Sequence, residues 1–181
     1  MLDCHCYTAP LNSLVEVYRQ LKVWSDSTDY TILFDSSTSD WTLNSDQFAQ
    51  RVLNKQNLFF VVIDENNNIF GGYKKSVVKS EDDFLKDKGA YLFTMNVYGT
   101  VGIPLKCVLT QSSAKDSFFL GSKRNSILFA FGKGDLVVYK KDVGKRGICL
   151  QCSFDYYNAP VVLCGTTRFV PQRVLVVEML N

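Results

Sequence analysis

Between Leu58 and Ile63 the chain reads Leu-Phe-Phe-Val-Val-Ile, with no polar residue to mark a solvent-facing side. A run this short suits a strand better than a helix, and the lack of alternation predicts a strand covered on both faces. Such a strand belongs in the middle of a sheet. Glu65-Asn66-Asn67-Asn68 follows as a turn, because asparagine tolerates positive φ and bonds its own backbone. Ile69 to Tyr73 then returns as the second strand of a hairpin. Within it, Gly71-Gly72 would weaken the strand unless the pair marks a bulge or a close backbone approach.

The rest of the chain repeats this theme in short units. Strands are expected at Tyr30–Phe34, Ala90–Asn96, Leu105–Leu109, Ile127–Phe131, Leu136–Lys140, Ile148–Cys152, Val161–Cys164 and Val174–Met179. Gly132-Lys133-Gly134-Asp135 forms a tight hairpin between two of them, and Lys79 to Gly89 is a charged connection. Two helices break the pattern. Leu11 to Trp24 places Leu14, Val17, Tyr18, Leu21 and Trp24 at helical spacing, with Asn12 or Ser13 as the cap. A second helix follows Trp41, with Asn44 as N-cap, Gln47 three residues on, and Leu43 stapled against Phe48. Many short strands with turns between them predict an α+β, mainly β fold: two packed antiparallel sheets, a β-sandwich, with two flanking helices. The division expected is a leader and amphipathic helix over residues 1–27 and a sandwich over 28–181.

Composition narrows the function classes. The chain has 181 residues, 46% of them hydrophobic and 13% aromatic, which suits one folded domain rich in strands. Twenty Lys and Arg against 18 Asp and Glu leave a net charge of +2, far from the basic footprint of a nucleic-acid binder. Met1 to Pro10 lacks the basic and apolar regions of a signal peptide, and no apolar run is long enough to span a bilayer. The expected compartment is the cytoplasm, with the six cysteines reduced. Lys74-Lys75 and Lys140-Lys141, with Lys145-Arg146 beyond, read as solvated strand ends, the minority reading being a contact with an anionic partner.

Catalytic sets are hard to assemble. The only histidine is His5, so a histidine-assisted nucleophile would have to use a residue outside the expected core. Cys4-His5-Cys6 is too compressed to share one zinc, and Cys149 and Cys152 would point to opposite faces of a strand. No nucleophile elbow or Walker A loop is present, and the glycines around Lys133 join strand to strand rather than strand to helix. Asp64/Glu65 and Glu81/Asp82/Asp83 sit in turns and loops, where acids are solvated. Glu178 stands apart, on one face with Val174 and Val176, where a buried acid would need a partner. No cofactor is expected. The chain therefore reads as a binding protein, and the alternative is a redox-active or hydrolytic enzyme built on an exposed cysteine or on Glu178.

Taken in order, these segments resemble a TLDc domain. Tyr30-Thr-Ile-Leu-Phe-Asp-Ser36 with Trp41, the helix carrying Phe48, Phe59-Phe-Val-Val-Ile63 and Ile69-Phe-Gly-Gly-Tyr73 follow the family's sequence of elements. Ala90-Tyr-Leu-Phe-Thr94 comes next, then Ser126-Ile-Leu-Phe-Ala-Phe-Gly132 with Asp135-Leu-Val-Val138, then Phe154 and Val174-Leu-Val-Val-Glu-Met179. Glu178 falls on the family's terminal glutamate. The family's glycine run is reduced to Gly132 and Gly134 around Lys133, and Met179 replaces an aromatic. The leading helix is similar to that of protozoan-type members. The resemblance implies a β-sandwich with flanking helices, a link to oxidative-stress protection, and a protein partner such as a subunit of the V-type ATPase, through which the chain would reach a membrane. The surfaces to examine are the Gly132–Asp135 hairpin and the loop carrying Lys140, Lys141 and Lys145.

Overall fold

The structure, a computed structural model, describes residues 13–97, 104–110, 112–156 and 163–181. The Cys4-His5-Cys6 triplet and the first half of the expected strand at 161–164 lie outside these.

Strand β2 (Leu58–Asp64) is as buried as its sequence demands, and the cover on its two faces comes from different sources. It pairs on one side with β3 (Ile69–Lys74) through the asparagine turn, where Asn67 takes φ +61. On the other side it pairs with β12 (Pro171–Leu180), which in turn pairs with β1 (Asp29–Asp35). Strands β5 (Tyr91–Asn96) and β6 (Leu105–Val108) complete one antiparallel sheet in the order β1-β12-β2-β3-β5-β6. The second sheet runs β11 (Arg168–Phe169), β10 (Gly147–Ile148), β9 (Leu136–Tyr139), β8 (Ile127–Phe131), β7 (Phe118–Leu120), β4 (Phe84–Leu85), again all antiparallel.

Alternation assigns each apolar side chain of β2 to a layer. Leu58, Phe60 and Val62 point between the sheets, with Phe118, Phe129 and Phe131 opposite. Phe60 lies 4.9 Å from Phe129 and 5.0 Å from Phe118, ring centre to ring centre. Phe59 and Val61 point outward, under helix α1 (Leu14–Ser25), whose Val17 and Leu21 are buried there. Each fully buried phenylalanine adds about 1.5–3 kcal/mol over an exposed one, so this aromatic layer carries much of the fold. Ser13 caps α1, its hydroxyl accepting from the Glu16 N–H at 3.3 Å.

Gly72 owes its place to the same layer. A methyl group there would sit 2.6 Å from the Phe131 ring, so the two sheets close only because the side chain is absent. Gly71, on the other face, would meet the Phe60 carbonyl at 1.8 Å.

The short helix α2 (Gln47–Val52) buries Phe48, Ala49 and Val52 against the inter-sheet core, with Phe48 stacked 5.8 Å from Phe129. Its start differs from the expected capping box. Asp46 occupies the cap position, Asn44 takes φ +69 in the preceding turn, and Gln47 Oε1 accepts the Asp40 N–H instead. Leu43 is among the exposed hydrophobics rather than stapled inside. The expected strand Ile148–Cys152 shrinks to Gly147–Ile148, and Leu163 and Cys164 lie in a turn.

Lys74 overturns the expectation of a solvated strand end. It is fully buried, and its ammonium meets the Asp87 carboxylate at 3.2 Å and the Ser76 carbonyl at 2.9 Å. Asp87 Oδ2 also accepts from the Lys75 and Ser76 N–H groups, and Oδ1 from Gly89. The charged connection is thus stitched to the end of β3 from within.

Candidate functional site: a basic cleft at one end of the sandwich

The connection from β9 to β10, residues 140–146, closes one wall of a cleft of about 490 Å³. Val170, Pro171 and Gln172 at the entry to β12, with Ser36, Trp41 and Tyr139, line the rest of it. Lys141, Lys145 and Arg146 are exposed along the loop.

Several anchors fix that loop. Lys140, expected on an exposed surface, is buried instead: its ammonium donates to the Ser122 and Lys123 carbonyls, each at 2.8 Å. Burial pulls that ammonium below its ordinary value, against the nearby carboxylates of Asp82 and Asp142. The Lys141 N–H donates to the Trp41 carbonyl at 3.2 Å, and Asp142 Oδ1 accepts the Leu43 N–H at 2.6 Å. Arg146 pairs with Glu65 at 2.6 Å, and the other oxygen of Glu65 accepts the Val170 N–H. A short turn with Gly144 at φ +73 joins these points. Lys145 lies over the Tyr139 ring at 5.3 Å, a cation–π contact. Among the described residues neither Lys141 nor Lys145 has a carboxylate within ion-pair distance, so two cations face the cleft on a loop that is already ordered.

The other singled-out residues lie elsewhere. Asp135, expected on a surface hairpin, is fully buried. Its carboxylate accepts the N–H groups of Cys152, Ser153 and Phe154 at 2.8–2.9 Å, and the Tyr156 hydroxyl donates to its carbonyl at 2.9 Å. Burial pushes its carboxyl above the ordinary value, against those three N–H groups. Gly132, at φ +62, would place a Cβ 2.1 Å from Asp135 Oδ2, so glycine is required there for the carboxylate to turn inward. Gly134 is buried as well, and only Lys133 of the hairpin is exposed, paired with Asp116 at 3.1 Å. Glu178 is half-buried and paired with Lys55 at 3.2 Å. Gly71 and Gly72 sit in the middle of β3. None of these lines the cleft, so they do not converge on one pocket.

Sequence reasoning found the basic loop but missed Trp41, Tyr139 and Pro171 as its complement. A tryptophan just after a polar loop was the available signal; the separation of 98 positions between Trp41 and Tyr139 hid their meeting. Among the described residues, no three His, Cys, Asp or Glu side chains group as a metal site, and no helix is long and apolar enough to cross a membrane.

No curated protein matches the chain. A family model described as the TLDc domain matches residues 11–162. That match spans most of the chain. The protein belongs to the TLDc domain family.

Proposed function

We propose that this protein is a non-catalytic TLDc-type interaction module of the cytoplasm that engages an acidic segment of a protein partner through the Lys141–Lys145 cleft. The carrying observation is the anchored loop itself. Two exposed ammonium groups without ion-pair partners among the described residues face a concave, partly aromatic surface. The bonds of Lys140, Asp142 and Arg146 already hold the loop, so binding has to order little beyond the Lys141 and Lys145 side chains. Carboxylates are the complementary chemistry, and a cytoplasm-facing subunit of the V-type ATPase is the partner class we favour. A role in oxidative-stress resistance would then run through that partner.

Two features support binding over catalysis. Glu178 is committed to Lys55 rather than free for proton transfer. The exposed thiol of Cys152 is pushed up by burial and by Asp135, which leaves less thiolate at neutral pH.

The test uses a fluorescein-labelled peptide of ten alternating Glu and Asp residues, read by anisotropy. The native chain should bind it with an affinity that falls as salt rises. The Lys141→Glu/Lys145→Glu variant should bind at least tenfold more weakly while melting at the native temperature. Equal affinity in that variant, or no binding by the native chain at low salt, would refute the proposal. Cosedimentation with the purified soluble sector of a V-type ATPase tests the finer partner reading separately.

A further inference from the structure

Two thiols meet in the core between the sheets, beside β10. Cys149 and Cys164 stand 3.7 Å apart, sulfur to sulfur, one fully buried and the other 3% exposed. The fold brings them together in two steps. Strands β10 and β11 pair Gly147 with Phe169 and Ile148 with Arg168, and the ladder continues as the Cys149 N–H donates to the Thr167 carbonyl at 3.0 Å. Gly165, at φ +76, then turns the preceding residues back, so that Cys164 Sγ reaches both Cys149 and the Thr166 carbonyl, the latter at 3.2 Å. The Cys164 backbone is held from the other side, where Asn68 Nδ2 donates to its carbonyl at 3.2 Å and to Asp64 at 2.8 Å.

The two sulfurs differ in access. Cys164 lines a cavity of about 380 Å³ with Asn66, Asn68, Val97 and Gly165, while Cys149 is not on that wall. They differ in acidity too. The contact with Cys149 lowers the Cys164 thiol in spite of burial, whereas burial pushes the Cys149 thiol up.

We propose that Cys149 and Cys164 are a peroxide-responsive dithiol, with Cys164 the peroxide-reactive sulfur lining the cavity and Cys149 the resolving sulfur behind it. The Cys164 thiolate attacks the terminal oxygen of a hydroperoxide. The O–O bond breaks, the alcohol (or water) leaves with the thiol proton, and Cys164 becomes a sulfenic acid. Cys149 then attacks Cys164 Sγ. The S–O bond breaks, and hydroxide departs as water with the Cys149 proton. Two electrons have passed from the sulfur pair to the peroxide, and one disulfide remains. Its formation requires the sulfurs to close by about 1.7 Å to the usual bond length near 2.05 Å.

The native full chain is exposed to hydrogen peroxide, quenched, alkylated in denaturant and mapped by mass spectrometry. We expect a peptide cross-linked between Cys149 and Cys164, lighter by two hydrogens and reopened by dithiothreitol, before the exposed Cys152 is oxidised. In Cys149→Ser, dimedone should label Cys164. Cross-links distributed among other cysteines, or oxidation of Cys152 ahead of the pair, would overturn the proposal. Because the cross-link is read in the unsubstituted chain, this outcome does not depend on whether the Cys149→Ser variant folds.

Discussion

Replacing Asp87 with alanine should be the most damaging single change among the buried polar groups. Its carboxylate is 4% exposed and accepts four hydrogen bonds: from the Lys75, Ser76 and Gly89 N–H groups at 2.7–3.0 Å, and from the Lys74 ammonium at 3.2 Å. Removal leaves a fully buried cation facing only the Ser76 oxygens. Breaking a buried pair from one side costs about 3–5 kcal/mol, and the three orphaned N–H groups add to this unless water reaches them. A loss of about 4 kcal/mol is a large part of the roughly 5–15 kcal/mol available to a domain. With a urea slope of about 2 kcal/mol per molar, the midpoint should fall by about 2 M with little change in slope. Adding Lys74→Met should restore part of the loss, since the stranded charge is gone. The pH arm has a definite sign. Burial raises the Asp87 carboxyl, but the Ser76 N–H, Lys74 and the Gly89 N–H outweigh it and hold it below its ordinary value. The stability it contributes is present above the unfolded value near pH 4 and disappears as pH falls through the folded one. Asp87→Ala should therefore flatten the acid limb. A loss below 1 kcal/mol, or a double variant no better than Asp87→Ala alone, would refute the account of Lys74 as a paired buried cation.

Gly72→Ala should cost about 1–3 kcal/mol in chemical denaturation, because its methyl meets the Phe131 ring at 2.6 Å. Phe131→Leu in the same chain should recover part of that, whereas Gly144→Ala, with open space around it, should reveal only backbone strain. Asp35 is held at about 2, chiefly by its hydrogen bonds with Arg173, so its stabilising effect should persist above pH 4 and vanish as pH approaches 2. Urea midpoints of Asp35→Asn should accordingly vary less across that window than those of the native chain. Lys140→Met should lower stability by about 1–3 kcal/mol by stranding the Ser122 and Lys123 carbonyls, and peptide anisotropy should weaken with it as the basic loop loses an anchor.

The parts of the fold legible in sequence were those whose reasons are local. The β2–β3 hairpin needed only an apolar run, an asparagine turn and a return strand, and α1 needed only its 3.6-residue stripe and Ser13. Strands β4 and β11, two residues each, are too short to carry any period. Lys74 and Lys140 looked solvated because a lysine at a strand end usually is; their partners lie 13 and 17–18 residues away in sequence. Asn44 with Gln47 matched a capping box, yet tertiary demand from Asp40 claimed the glutamine. The basic loop of the cleft was visible as composition, but its concavity depends on Trp41 and Pro171, which no local pattern links to it. The Cys149–Cys164 contact is likewise a product of a turn at Gly165 that only the folded chain displays.

The position of β12 has a consequence for how the chain is made. It is last in order among the described strands, yet it lies between β1 and β2 in the sheet. Translation at roughly 5–20 residues per second separates the emergence of Asp35 from that of Leu180 by roughly 7–30 seconds. For that interval β1 has no strand to lie against, and one edge of the β2–β3 hairpin stands open, an apolar ladder able to pair with a neighbouring nascent chain. Residues 171–180 act as a keystone inserted after both of its neighbours have been made, and a stop codon just before Pro171 would release a polypeptide with two unsealed edges. Chaperone demand should therefore be highest before this single strand emerges and collapse once it is in place.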